Sequence, residues 1–98
     1  MYGIINRFTA HPGQRDALAA ALTTDEGPMV GCVSFVLQND LLDADVLWLT
    51  EVWETKDRWQ ASVDQPAIAG SFETMAALVK DWGSTVETEV VARLGGAA

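Results

Sequence analysis

Val46-Leu47-Trp48-Leu49-Thr50-Glu51-Val52-Trp53 is a run of aliphatic, aromatic and β-branched residues that reads as a strand. Strict alternation puts Leu47, Leu49, Glu51 and Trp53 on one face and Val46, Trp48, Thr50 and Val52 on the other. Just upstream, Cys32-Val33-Ser34-Phe35-Val36-Leu37 is a second β-prone run closed by the turn-favouring pair Asn39-Asp40. Only the short acidic loop Leu41 to Asp45 separates the two runs, which predicts an antiparallel hairpin.

Working outward, Tyr2 to Thr9 alternates as a strand, with Tyr2, Ile4, Asn6 and Phe8 on one face and Gly3, Ile5, Arg7 and Thr9 on the other. Pro12-Gly13 breaks it, and Gln14 to Thr23 carries Ala17, Leu18, Ala21 and Leu22 at the spacing of a buried helical stripe, ended by Gly27-Pro28. After the hairpin, Thr55 is a suitable N-cap with Asp57 in the first turn, predicting a short helix over Lys56 to Val63. Pro66 fits the first turn of a further helix in which Ile68, Phe72, Met75, Val79 and Trp82 recur at steps of four and three, ended by Gly83. Thr85 to Leu94 then reads as a fourth strand, and Gly95-Gly96-Ala97-Ala98 as a frayed tail.

The order strand, helix, strand, strand, helix pair, strand is the split βαβ plan: an α+β, ferredoxin-like fold with a four-stranded antiparallel sheet and helices on one face, in a single domain over residues 1–94. Ile5, Val33, Phe35 and Leu37 cannot all share the helix-covered face with Ile4, Val36 and Phe8, so part of the other face is apolar. A second copy of the sheet would cover it, which predicts a homodimer.

Composition narrows the function classes. The chain has 98 residues, of which 49% are hydrophobic, enough for one modest core. Fourteen acidic against six basic residues leave a net charge of −8, which disfavours phosphate backbones and anionic membrane surfaces. Cys32 is the only cysteine, so no internal disulfide can form, and with His11 it assembles no zinc pattern. The sequence shows no export signal and no apolar run near the ~20 residues that span a bilayer, so a cytoplasmic location is expected. Nucleotide-binding loops, HExxH and GxSxG are absent too.

Chemistry must then rest on indoles and on polar residues in apolar surroundings. Asn6 interrupts the face of Tyr2, Ile4 and Phe8; it serves either as a structural hydrogen bond or as a donor to a carbonyl or phenolate. Trp48, Trp53, Trp59 and Trp82 are each expected first as packing residues, with Trp82 in the core. Trp53 and Trp59 flank a strand-to-helix corner that a planar aromatic could enter. Glu51 either pairs with Arg7 or Arg93 or acts as a base. His11 sits in an exposed turn, and Cys32 reads as a small buried hydrophobe.

The chain resembles the antibiotic biosynthesis monooxygenase domain, in its small quinol-monooxygenase-like branch. The resemblance rests on Pro12-Gly13-Gln14-Arg15-Asp16-Ala17-Leu18, Gly31-Cys32, Glu51-Val52-Trp53, Ala61-Ser62-Val63 and Pro66-Ala67-Ile68, in order along nearly the whole chain. It implies a dimeric α/β barrel and oxidation of a quinol or polycyclic phenol by O2, with no metal, flavin or other cofactor. It further implies catalytic roles for Asn6 and Trp53, and a substrate pocket touched by Phe8, Trp59, Ser62 and Phe72. The sequence departs from the family where many relatives carry a histidine, at Trp59 or Ser62. The proton then goes to water, Asp64 or a substrate group, or the chain binds an aromatic, or serves polyketide tailoring, without oxygenation. Haem degradation is disfavoured, because it needs a tryptophan in place of Ser62 and a histidine in place of Phe72.

Overall fold

The computed structural model describes residues 1–23 and 29–95. The helix end expected at Gly27-Pro28 and the tail residues 96–98 lie outside them. The elements are β1 (Tyr2–Ala10), α1 (Arg15–Thr23), β2 (Cys32–Asn39), β3 (Val46–Trp53), α2 (Lys56–Val63), α3 (Pro66–Leu78), β4 (Val79–Asp81) and β5 (Thr85–Glu89). All strand pairs are antiparallel: β2 pairs β3, β3 pairs β1, and the far edge of β1 is shared between β4 and β5. The three helices cover one face. No helix among the described residues is long and apolar enough to cross a membrane.

Local chemistry explains the helix ends. The Thr55 hydroxyl accepts the Arg58 backbone N–H at 3.2 Å, the expected N-cap of α2, and Pro66 opens α3. Arg15, at the start of α1, reaches back to the β2–β3 loop, where its Nη1 donates to the backbone oxygens of Asp40 and Asp43 at 3.2 and 3.0 Å. That loop turns on Asp40, whose carboxylate accepts the backbone N–H groups of Leu42 and Asp43.

Phe8, Ala10, Leu18, Leu47, Leu49, Met75 and Val79 form the core, with Phe35 and Leu37 packed against it. Several expectations are corrected here. Phe35 and Leu37, not Val36, lie under the helices, because a bulge between Cys32 and Ser34 resets the alternation of β2. The helix expected to run to Trp82 ends at Leu78; Val79–Asp81 leaves the helical path to pair with Thr9 and Ala10, making five strands where four were expected. Trp82 is therefore off the helix and 39% exposed instead of in the core, and the last strand stops at Glu89, short of Leu94.

The join between β4 and β5 depends on Gly83. Its φ is +60°, and a Cβ there would collide with the Arg7 backbone oxygen, while the Arg7 N–H donates to the Ser84 oxygen at 3.1 Å. Gly70, in α3, has open space around it.

On the outer face the register sets Val36, Thr50, Ile5 and Val86 in one row, with Val36 and Val86 43% and 49% exposed. Trp48 lies on this face too, its indole N–H donating to Asp40 Oδ2 at 2.9 Å and the Arg7 guanidinium 5.8 Å from its ring. On the inner face Glu51 is buried, 7% exposed, with Oε1 accepting the Trp53 indole N–H at 3.2 Å. Burial pushes its carboxyl above the usual glutamate value of 4.5, against the smaller pull of that hydrogen bond. The folded state thus holds this proton more tightly than the unfolded chain, so the stability it contributes is complete below about pH 4.5 and is lost as pH rises through the folded value.

Two measurements check this account. Gly83→Ala should lower unfolding stability by about 1–3 kcal/mol in urea titration, whereas Gly70→Ala should raise it by roughly 0.5–1 kcal/mol. Glu51→Gln, neutral at every pH, should unfold at higher urea than the parent at pH 7.5, with the gap closing toward pH 4; a pH-independent gap would contradict the assigned shift.

Candidate functional site

The inner face of the sheet has two zones. Under α1 and the end of α3 it is wholly apolar. Toward the start of β1 it becomes polar and aromatic, carrying Tyr2, Asn6, Glu51 and Trp53, with Thr85 and Glu87 from β5 on the same side by register.

Asn6 stands at the border, half-buried, opposite Leu49 on β3 and Thr85 on β5. The Thr85 hydroxyl donates to Asn6 Oδ1 at 2.7 Å. With its carbonyl oxygen so held, the amide keeps its Nδ2 hydrogens for another acceptor. Two residues on, Phe8 meets Trp82 edge to face at 5.7 Å, and Trp82 stacks on Phe72 at 5.2 Å with ring planes 7° apart. Phe72 and Trp82 are 52% and 39% exposed. The result is a partly exposed aromatic stack on the same face of the sheet as an amide whose oxygen is held.

The remaining predicted residues fall elsewhere. Trp53 is 1% exposed, so its indole acts within the fold, holding Glu51. Trp59 packs on Tyr2 at 5.6 Å, filling the corner where an aromatic ligand was expected to enter. Ser62 borders a cavity of about 200 Å³ between α2 and the segment before β2, lined also by Val30, Arg58, Ala61 and Gln65. The structure thus joins Phe8 and Phe72 through Trp82, carries Asn6 and Trp53 on the same inner face, and places Trp59 against Tyr2 and Ser62 at the α2 pocket. Trp82 and Thr85 were missed as site residues: the helical spacing placed Trp82 in the core, and nothing local to Thr85 announces its bond to Asn6.

Electrostatics separate the titratable groups. Burial, then the Glu87 carboxylate, push the Tyr2 hydroxyl up to about 12; it is a buried phenol without a hydrogen bond of regular geometry. Burial, then Glu51, also raise the Cys32 thiol, whose Sγ donates to the Ser34 oxygen at 3.6 Å, so Cys32 is no ready nucleophile. Glu87 is exposed and held low by its ion pair with Lys56 at 2.9 Å. No group of three or more His, Cys, Asp or Glu among the described residues is placed to hold a metal ion.

Known proteins agree with this architecture. No curated protein matches the sequence. A solved structure from Chloroflexus aurantiacus, named for antibiotic biosynthesis monooxygenase, is 36% identical, with 96% of each chain covered and a TM-score of 0.88. A Nitrosomonas europaea structure so named, 16% identical, covers 94% of this chain and 100% of its own at a TM-score of 0.82. Rv0793 from Mycobacterium tuberculosis, 23% identical, covers 99% and 98% at 0.74. These last two share the fold. The sequence profile of the antibiotic biosynthesis monooxygenases matches residues 1–83, and the chain belongs to that family.

Proposed function

We propose that the chain, residues 1–94 acting as one domain, is a cofactor-independent monooxygenase that oxidises a quinol or polycyclic phenol with O2. The observation that carries this reading is the Asn6 amide, its oxygen held by Thr85, on the same face of the sheet as the partly exposed stack of Phe72 on Trp82. A phenolic ring laid on that shelf brings its oxygen toward Asn6 Nδ2, which stabilises negative charge developing there. Oxidation then requires a phenolate that gives up an electron to O2, and a donor already oriented lowers the cost of that phenolate without reorganising. The net charge of −8 adds a preference for neutral rings over polyanions.

A second reading, binding of an aromatic without oxygenation, is favoured by α2. Trp59 and Ser62 supply no imidazole, and the chain's one histidine, His11, is exposed in the turn after β1.

We also propose a homodimer through the outer face, because the row Val36, Ile5 and Val86 leaves aliphatic surface uncovered on a single chain.

Three outcomes follow. The purified protein should consume O2 with at least one member of a panel of quinols and polycyclic phenols; no uptake, with tryptophan fluorescence quenched by a ligand recovered unchanged, would favour the second reading. Asn6→Ala should lower kcat/KM by about 100-fold, and Thr85→Val by less. Small-angle scattering at micromolar concentration should return twice the 10.6 kDa of one chain; a monomer would remove the dimer.

A further inference from the structure

Among the described residues, no cation pairs with Glu51. Arg7 extends from the opposite face of the sheet to Trp48, Arg93 lies in the exposed stretch after β5, and the ion pair formed on this side joins Lys56 to Glu87. Of the two readings of Glu51, pairing with Arg7 or Arg93 is therefore not the one made. Oε1 takes the Trp53 N–H, and Oε2, without a hydrogen bond among the described residues, is not one of their fully buried unpartnered atoms, so it stays open to a ligand. A buried carboxylate in that condition is costly unless it gains a proton or a partner.

The register puts this acid within reach of the amide. Asn6 lies opposite Leu49 and Ile4 opposite Glu51, so Asn6 and Glu51 are diagonal neighbours on the inner face. Such neighbours stand about 7 Å apart. That is the spacing of the residue positions, and side chains as long as Asn and Glu extend over part of it, so that one oxygen hydrogen-bonded to both at about 2.8 Å spans what remains.

We propose that Glu51 is the proton acceptor for a bound phenol, in the role left empty by the missing histidine; this rests on the phenol-oxidising reading above. In the step, the phenolic O–H bond breaks and its proton passes to Glu51 Oε2. The electron pair stays on the phenolic oxygen, which accepts the Asn6 Nδ2–H. Nothing is oxidised or reduced. The transfer neutralises a localised buried charge and moves it onto an aromatic system that can spread it. The surroundings favour this direction: burial raises the Glu51 carboxyl, Tyr2 on β1 and Cys32 on β2 stay protonated, and the Glu87 charge on β5 is met by Lys56 of α2.

The test separates proton transfer from turnover by excluding oxygen. 4-Nitrophenol, whose phenolate absorbs at longer wavelength than the phenol, is titrated anaerobically into the whole protein across pH. The parent should hold the dye more ionised than free dye at the same pH. Glu51→Gln should shift ionisation of the bound dye by about tenfold or more toward the phenol, and Glu51→Asp should fall between. Should Glu51→Gln not fold, Glu51→Asp decides alone. A purely structural Glu51 predicts the same bound phenolate in variant and parent, and that result overturns the proposal, as does a parent that leaves the dye spectrum unchanged. Dye ionised by the parent without oxygen uptake on quinols supports the proton transfer and retires the oxidation reading. Undiminished oxygen uptake by Glu51→Gln with an unshifted pH profile does the reverse.

Discussion

Pairing of β1 along both of its edges is the constraint on which the remaining structure depends. With β3 on one side and β4 and β5 on the other, no residue of Tyr2–Ala10 can rotate to the opposite face. Ile4 and Phe8 are committed to the interior, and Asn6, between them, is carried inward with them. An amide in that position must be satisfied, and the partner comes from β5 because β5 pairs the same strand. The same alternation sends Arg7 outward to Trp48, away from Glu51. One register thus produces a fixed donor and an unpaired acid on neighbouring positions.

The division of the far edge into β4 and β5 explains the aromatic shelf. A continuous fourth strand would alternate its side chains regularly. The break at Gly83, where the chain passes too close to the Arg7 carbonyl for any side chain, lets Trp82 turn back against Phe8 and leaves its other face for Phe72. The shelf is a product of that turn, and α3 contributes only one of its three rings.

What the sequence made legible were features decided within a turn or by strict alternation. Thr55 and Pro66 set the starts of α2 and α3 through contacts with their own neighbours, and Asn6 stood out because it breaks a pattern of period two. What stayed hidden depends on distant pairing. Val79-Lys80-Asp81 continues a helical spacing and becomes a strand only because Thr9 and Ala10 offer an edge, a case of tertiary context overriding local pattern. Thr85 meets Asn6 across 79 positions of sequence. The bulge at Cys32 and Ser34 moved Phe35 and Leu37 inward, an inversion that one extra residue causes and composition does not register.

The absent histidine acquires a different meaning in this setting. On α2 Trp59 lies against Tyr2, while Glu51 and Trp53 are buried on the sheet. Burial raises the energy of a localised carboxylate at Glu51. A buried glutamate held by an indole N–H takes a proton more readily than an exposed one, and an amide with its oxygen occupied can only donate. Those two properties are complementary on a phenol, because one removes the proton and the other receives the charge left behind. The proposed proton transfer on the sheet needs no imidazole on α2, and Arg7, facing Trp48 on the other side, does not hold Glu51 ionised.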